Sequence, residues 1–360
     1  MIDEETSKRI TSLRFLLACF VVFIHNNYTV KNISESIENG AKEIIFNQSF
    51  FGNWIQIFIS SAISCCAVPL FFLFAAYLQA KKNDAYPTLL KKRLRTLFLP
   101  YCIWVGIYLL YFTIGKIIIS KIAPSVLSNP EKTVLTWTPS DWFHAIIGFQ
   151  NTSDGNPIVA GQFWFVRDLI IFTVLSPIFI RIIKKFPTGF FAFSLLFYIL
   201  GKISFDAHLP SAVFYYVCGL YWGIFDITLL KRLDKISWIE AFGLFLFSFV
   251  SNFVFKMPFM SALHTFVACC VILKLSNTII CSNRIFGIAR KLSGYSFFLY
   301  AIHMPVVIYV VQKIWLRIFP MKNAFFCLFE YFGATILIIA VGTGIGIALK
   351  KICPPLFALL

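Results

Sequence analysis

Residues 8–30 read KRITSLRFLLACFVVFIHNNYTV, an apolar run with Arg14 near its start and His25 near its end. Eleven residues separate the two, and at about 3.6 residues per turn that is about three turns, so they share one helix face. At ~1.5 Å rise per residue they lie roughly 16 Å apart along the axis, about half of a ~30 Å hydrocarbon core. Groups this polar are costly on a membrane helix unless they face a bundle interior or a wet cavity, which marks a functional path. The alternative is that Arg14 snorkels to the cytoplasmic interface and His25 reaches the opposite headgroups, each acting alone.

The rest of the chain fits a membrane setting. Of 360 residues, 59% are hydrophobic and 13% charged, against about 25% charged in ordinary soluble domains, and the mean hydropathy is +0.80. The fold class expected is all-α, a polytopic transmembrane bundle of about ten helices in a single domain. The runs long enough to span are 10–30, 54–79, 97–119, 163–181, 188–206, 211–230, 237–255, 258–277, 292–313 and 325–349. A charged start (Asp3, Glu4, Glu5, Lys8, Arg9) without a small-residue cleavage site predicts that the first run is retained.

The net charge of +16 is spread between the apolar runs, which sets nucleic acid aside as a partner. With the N-terminus inside, basic residues divide about two to one in favour of the cytoplasmic segments, so both termini are expected in the cytoplasm. Eight of the ten cysteines fall inside apolar runs with no CxxC spacing, which suits small buried hydrophobes better than a disulfide framework or a metal site.

Four further stretches carry polar groups. The inner segment KKRLRTLFLP at 91–100 contains Lys91, Lys92, Arg93 and Arg95, read either as an anchor to anionic lipid or as a phosphate-binding patch. The outer loop 120–162 carries Trp137, Asp141, Trp142, His144, Gln150, Asn151, Asp154 and Gly155. It is longer than a connector needs, and could seat a polar acceptor or act as a lid. Arg167 and Asp168 are adjacent at the outer end of a helix, and neighbours on a helix do not face each other, so they are expected to make separate contacts. Tyr295, Ser296, Tyr300 and His303 lie before Pro305; the ring removes one backbone N–H, which predicts a packed, hydrogen-bonded His303 at a kink. Glu330 reads as an interfacial acid. Gly342, Gly344 and Gly346 read as close-packing positions, since no strand precedes them.

In their order and spacing these segments resemble the acyltransferase-3 family of bacterial integral-membrane O-acyltransferases. The resemblance rests on Arg14 and His25, VPLFFLFAAYL at 68–78, KKRLRTLFLP at 91–100, FWFVRDLIIFTVLSP at 163–177, YYVCGLYWG at 215–223 and GYSFFLYAIHMP at 294–305. Two positions depart from the family pattern. Thr11 and Ser12 stand where an acidic residue is common, and Ala75, Ala76 and Tyr77 replace Ser-Gly-Phe.

The resemblance implies a multi-pass enzyme of the bacterial cytoplasmic (inner) membrane, with no bound cofactor or metal. Acetyl-CoA is its donor substrate, and a hydroxyl on a cell-envelope glycan or lipid-linked saccharide its acceptor. It implies His25 as general base on that hydroxyl, with an acyl-histidine route as the variant, and Arg14, Arg93 and Arg95 as holders of the CoA phosphates. Tyr77 or Arg167 would serve the oxyanion, and Trp164, Asp168, Tyr300 and His303 are supporting candidates. The competing class is a transporter or flippase of envelope lipids, in which Arg14 and His25 line a path without chemistry.

Overall fold

The computed structural model describes residues 2–26, 50–82, 84–122, 137–146, 161–204, 208–319 and 324–360, and their regular structure is entirely helical. The helices are α1 (Glu4–His25), α2 (Phe50–Ile57), α3 (Ala67–Lys82), α4 (Tyr86–Arg93), α5 (Leu99–Ile122), α6 (Pro139–Ile146), α7 (Trp164–Lys185), α8 (Pro187–Ser204) and α9 (His208–Ile224). They continue as α10 (Leu229–Lys235), α11 (Trp238–Phe255), α12 (Pro258–Cys281), α13 (Asn283–Ser293), α14 (Ser296–Ile302), α15 (Ile308–Ile318), α16 (Ala324–Ile352) and α17 (Pro354–Leu359). Each apolar run in the sequence overlaps at least one of them.

Among the described residues seven helical stretches are long and apolar enough to cross a membrane, and the α9–α10 pair, bent by 99°, would make an eighth if it is one broken span. Three of the ten expected runs are not among them: α1 carries Glu4, Glu5, Lys8, Arg9 and Arg14, α9 stops at 17 residues, and α8 is a shorter apolar helix over its described part, Pro187–Gly201.

The chain divides into two compact units, Met1–Asp84 with Pro177–Ile352, and Ala85–Ser176 with Cys353–Leu360. In the first, α1 is the central strut, in contact with α3, α12, α13, α14 and α16. Its start is set by Asp3, whose carboxylate accepts from the Thr6 amide at 2.7 Å, with Glu4 and Glu5 in the first turn where the helix dipole favours negative charge. Partial burial works against the charged form of Asp3, but the bonds from Thr6 and the nearby Lys81 hold its carboxyl below the usual range.

Small residues permit the closest helix contact in this unit. A Cβ on Gly219 would lie 2.2 Å from the Leu73 carbonyl oxygen, and one on Gly223 would lie 2.6 Å from Ala80 Cβ. Gly219 and Gly223 on α9 therefore nest against Ala76 and Ala80 on α3, a small-xxx-small pairing in both helices. Gly342 and Gly346 likewise receive Leu299 and Phe298, with virtual Cβ contacts of 2.9 Å each, as the sequence reading expects; Gly344 has open space.

In the second unit α5 and the start of α7 share an aromatic cluster, where Phe163 meets Tyr101, Trp104 and Tyr108 at ring separations of 6.2, 6.3 and 6.2 Å. Trp104 Nε1 donates to the Leu360 carbonyl at 3.1 Å, tying the chain's last residue to α5. Tyr86 Oη donates to the Val174 carbonyl at 2.8 Å and joins α4 to α7.

Candidate functional site

α1 is an unbroken α-helix from Glu4 to His25, so the about 100° advance per residue carries Arg14 to His25 with only ~20° of drift. The two side chains share one side, as their spacing requires, and both are exposed. Between them on that side lie Ala18 and Val21, buried at 0% and 3%. Ala18 and Val22 join an apolar cluster with Leu299, Val307, Ile308, Val311, Ala334 and Ile338. The mid-section of the face is thus packed against the bundle, and its two polar ends are exposed.

The His25 end is built by several elements. The neighbouring Asn26, fully buried, donates to Thr335 Oγ1 at 2.9 Å and to the Tyr331 carbonyl at 3.3 Å, and accepts from Gln312 Nε2 at 2.7 Å. That network pins the end of α1 to α15 and α16. The His25 ring lies edge-on to His303, with centroids 5.2 Å apart and planes at 73°. His208, first residue of α9, is within electrostatic reach of His25.

His303 is the packed, hydrogen-bonded histidine at a break that the sequence predicts. It has no exposed surface, its Nδ1 sits 2.6 Å from the Tyr300 carbonyl oxygen, and it opens a π-helical segment, His303–Val307, in which Met304 takes an extended conformation. Tyr300 is buried, with its ring 6.1 Å from that of His303.

Tyr77 lies at the other end of α1. It stacks on Trp222 with centroids 4.0 Å apart, and both line a cavity of about 410 Å³ with Asp3, Thr6, Lys81 and Asp226. Lys81 and Asp226 pair across it. Thr6 precedes His25 by nineteen residues, about 28 Å of helix, so Tyr77 cannot serve an oxyanion formed beside His25. The sequence assigns Tyr77 that role because helix registry alone does not show at which end of a partner helix a residue lands.

Three other sequence readings change. Arg167 and Asp168 do meet: Nε and Nη2 each lie 2.9 Å from Asp168 Oδ1, both residues being buried. Adjacent side chains diverge at Cβ, but the arginine stem is long enough to curl back. Glu330 is fully buried rather than interfacial. In the described part of the 120–162 loop, Asp141 accepts from the Thr138 amide and hydroxyl at 2.9 and 2.8 Å, a local helix-start contact, with Trp137 and Trp142 packed edge to face. Gln150, Asn151, Asp154 and Gly155, and the side chain of His144, lie outside the described residues.

Arg93 and Arg95 belong to the second unit, where α4 passes into a π-helical turn, Leu94–Phe98. Lys91, Lys92 and Arg95 are exposed and Arg93 half-buried, interleaved with exposed Leu94, Phe98 and Leu99. Trp164 is half-buried at the start of α7 in the same region of sequence as Arg167 and Asp168.

Arg9 is a buried group that the sequence reading counts only as a topology charge. It is 1% exposed and grips Asp234 at 2.6 and 2.9 Å, Ser276 Oγ at 2.8 Å and the Leu273 carbonyl at 3.0 Å. Its position one turn before the core residue Leu13 is the signal that finds it. His264 is a second such group, buried between Phe245 and Phe249 with Ser248 Oγ at 3.0 Å and the Ala62 carbonyl at 3.1 Å.

Comparison with known proteins gives two findings. The model of the acyltransferase-3 family, described as an acyltransferase domain, matches residues 7–350. A 24% identity over 243 residues links the chain to the succinoglycan biosynthesis protein ExoH of Rhizobium meliloti (strain 1021), covering 65% of this chain and 58% of that protein. No solved structure matches.

Proposed function

Since this chain belongs to the acyltransferase-3 family and is a multi-pass membrane acyltransferase, we propose that it carries acetyl from cytoplasmic acetyl-CoA to a hydroxyl of a cell-envelope glycan or lipid-linked saccharide. The setting proposed is the bacterial inner membrane with both termini in the cytoplasm. The carrying observation is the unbroken α1 that presents Arg14 and His25 on one side, both accessible, inside the matched domain. The similarity to a succinoglycan biosynthesis protein supports a polysaccharide acceptor.

In this reading Arg14 holds the donor's phosphates, the kind of anion that guanidinium groups bind in bidentate fashion; Arg93 and Arg95, in the second unit, are candidates of the same chemistry. A neutral His25 imidazole takes the proton of the acceptor hydroxyl as its oxygen attacks the thioester carbonyl. The tetrahedral oxyanion needs a donor; Arg167, its guanidinium held by Asp168, is the candidate from sequence. Collapse expels the CoA thiolate, which recovers the proton from His25, so the imidazole ends as it began.

Membranes carrying the protein, incubated with [¹⁴C]acetyl-CoA and envelope glycan, should label the glycan. His25→Ala should abolish the label with the protein still inserted. Arg14→Ala should raise KM for acetyl-CoA by about tenfold or more and change kcat less. Movement of unmodified lipid without label would favour a transporter, and full activity in His25→Ala would remove the proposed base.

A further inference from the structure

His303 sits against His25 in a state that its hydrogen bonding defines. A carbonyl oxygen can only accept, so the 2.6 Å contact with Tyr300 O places the hydrogen on Nδ1. In a neutral imidazole Nε2 is then a bare acceptor. That Nε2 is buried, and among the described residues it has no hydrogen-bond partner. Buried polar atoms are nearly always satisfied, and an exception calls for a reason. The ring packed edge-on to His303 is His25; the two are not bonded in this arrangement, but a turn of the His25 ring would bring its N–H to Nε2.

From this we infer that His303 is the positioning residue for His25: its Nε2 accepts the N–H of one His25 nitrogen and thereby leaves the lone pair of the other facing the acceptor hydroxyl. The inference rests on His25 being the base. It assigns His303 the part that a carboxylate takes in many nucleophile–histidine pairs, fixing tautomer and ring orientation. A neutral imidazole does this with no buried negative charge.

The local backbone suits such a role. The π-helical segment that begins at His303 contains Met304 at φ −118°, ψ 153°, and irregular turns of this kind recur at functional positions in helices. The Tyr300 carbonyl that orients His303 lies three residues back on the preceding helix, so the orienting bond is local and survives small shifts of the bundle. On the other side, the Asn26 side chain is held by Gln312 and Thr335, which secures the helix end carrying His25.

The test uses the full-length protein in membranes, with kcat and KM measured for acetyl-CoA and the acceptor. His303→Leu removes the acceptor at similar volume and should lower kcat by about 10²-fold, with KM for acetyl-CoA within about twofold of wild type. His303→Gln offers an amide oxygen that can accept the same N–H and should recover at least about tenfold over Leu. If the Leu variant fails to insert, His303→Met replaces it in the comparison. A wild-type kcat in the Leu or Met variant overturns the role of His303, as does a Gln variant no better than Leu when both melt like wild type. His25→Ala separates the two levels: inactive His25→Ala with active His303→Leu removes only His303's part, whereas active His25→Ala removes the base and this inference with it.

Discussion

Arg9 shows what one residue can decide in a helix of mixed character. Its guanidinium has lost water on every side, and five polar contacts, two of them to one carboxylate, replace the lost hydration. Removing one partner of a buried pair leaves the other charge uncompensated, at a cost of about 3–5 kcal/mol. Asp234 retains 23% of its side-chain surface, so the lower end applies. Asp234→Ala should therefore destabilise the protein by about 3 kcal/mol, read as a fall in melting temperature in detergent, and Arg9→Met in the same background should restore much of it. A double variant no more stable than Asp234→Ala would show that Arg9 does not suffer from losing its partner. Arg14, only five residues on, stays exposed, and helix phase is the difference: Arg9 precedes the core residue Leu13 by one turn, while Arg14 lies on the side shared with His25.

At the scale of elements, helix pairs meet where small residues let them. The α3–α9 contact depends on Gly219 and Gly223, since a Cβ at either would enter space held by the Leu73 carbonyl or the Ala80 methyl. Because backbone cannot yield as a flexible side chain can, Gly219→Leu should separate the two helices and lower stability by at least about 2 kcal/mol. It should also disturb the Tyr77–Trp222 stack beside that contact. Gly344→Leu, with nothing within 4 Å of its virtual Cβ, should leave the melting temperature within about 2 °C of wild type; equal losses in both variants would refute the packing account. The Gly219-xxx-Gly223 spacing was legible in YYVCGLYWG, but its partner was not, because Ala76 and Ala80 lie more than 130 residues earlier. Hydropathy does not reveal α13 for a different reason. Its eleven residues, NRIFGIARKLS, form a short amphipathic helix with a basic face, all but its last two residues outside any apolar run.

At the scale of the whole molecule, the two-to-one distribution of lysine and arginine predicts both termini in the cytoplasm. A fluorescent protein fused after Leu360 should fluoresce and an alkaline phosphatase fused there should be inactive; the reverse pattern would invert the topology and place His25 on the wrong side for an outer acceptor. The start of α1 shares a cavity with Lys81 and Lys231, and His25 lies at its opposite end, so the same prediction places His25 toward the outer side.

Composition, hydropathy and the eleven-residue spacing by themselves determined that this is a helical membrane protein, where its apolar helices lie, and that Arg14 and His25 share a face. Those properties follow from the chemistry of consecutive residues and from a fixed helical period, which a linear string contains in full. Tertiary structure alone decided that Arg9 is buried against Asp234, that Tyr77 belongs to the end of α1 far from His25, that Glu330 lies in the interior, and that His303 meets His25. Each of those depends on which helix faces which and at what height, and residues 225 or 278 positions apart in the chain acquire a common address only when side-chain packing sets that register.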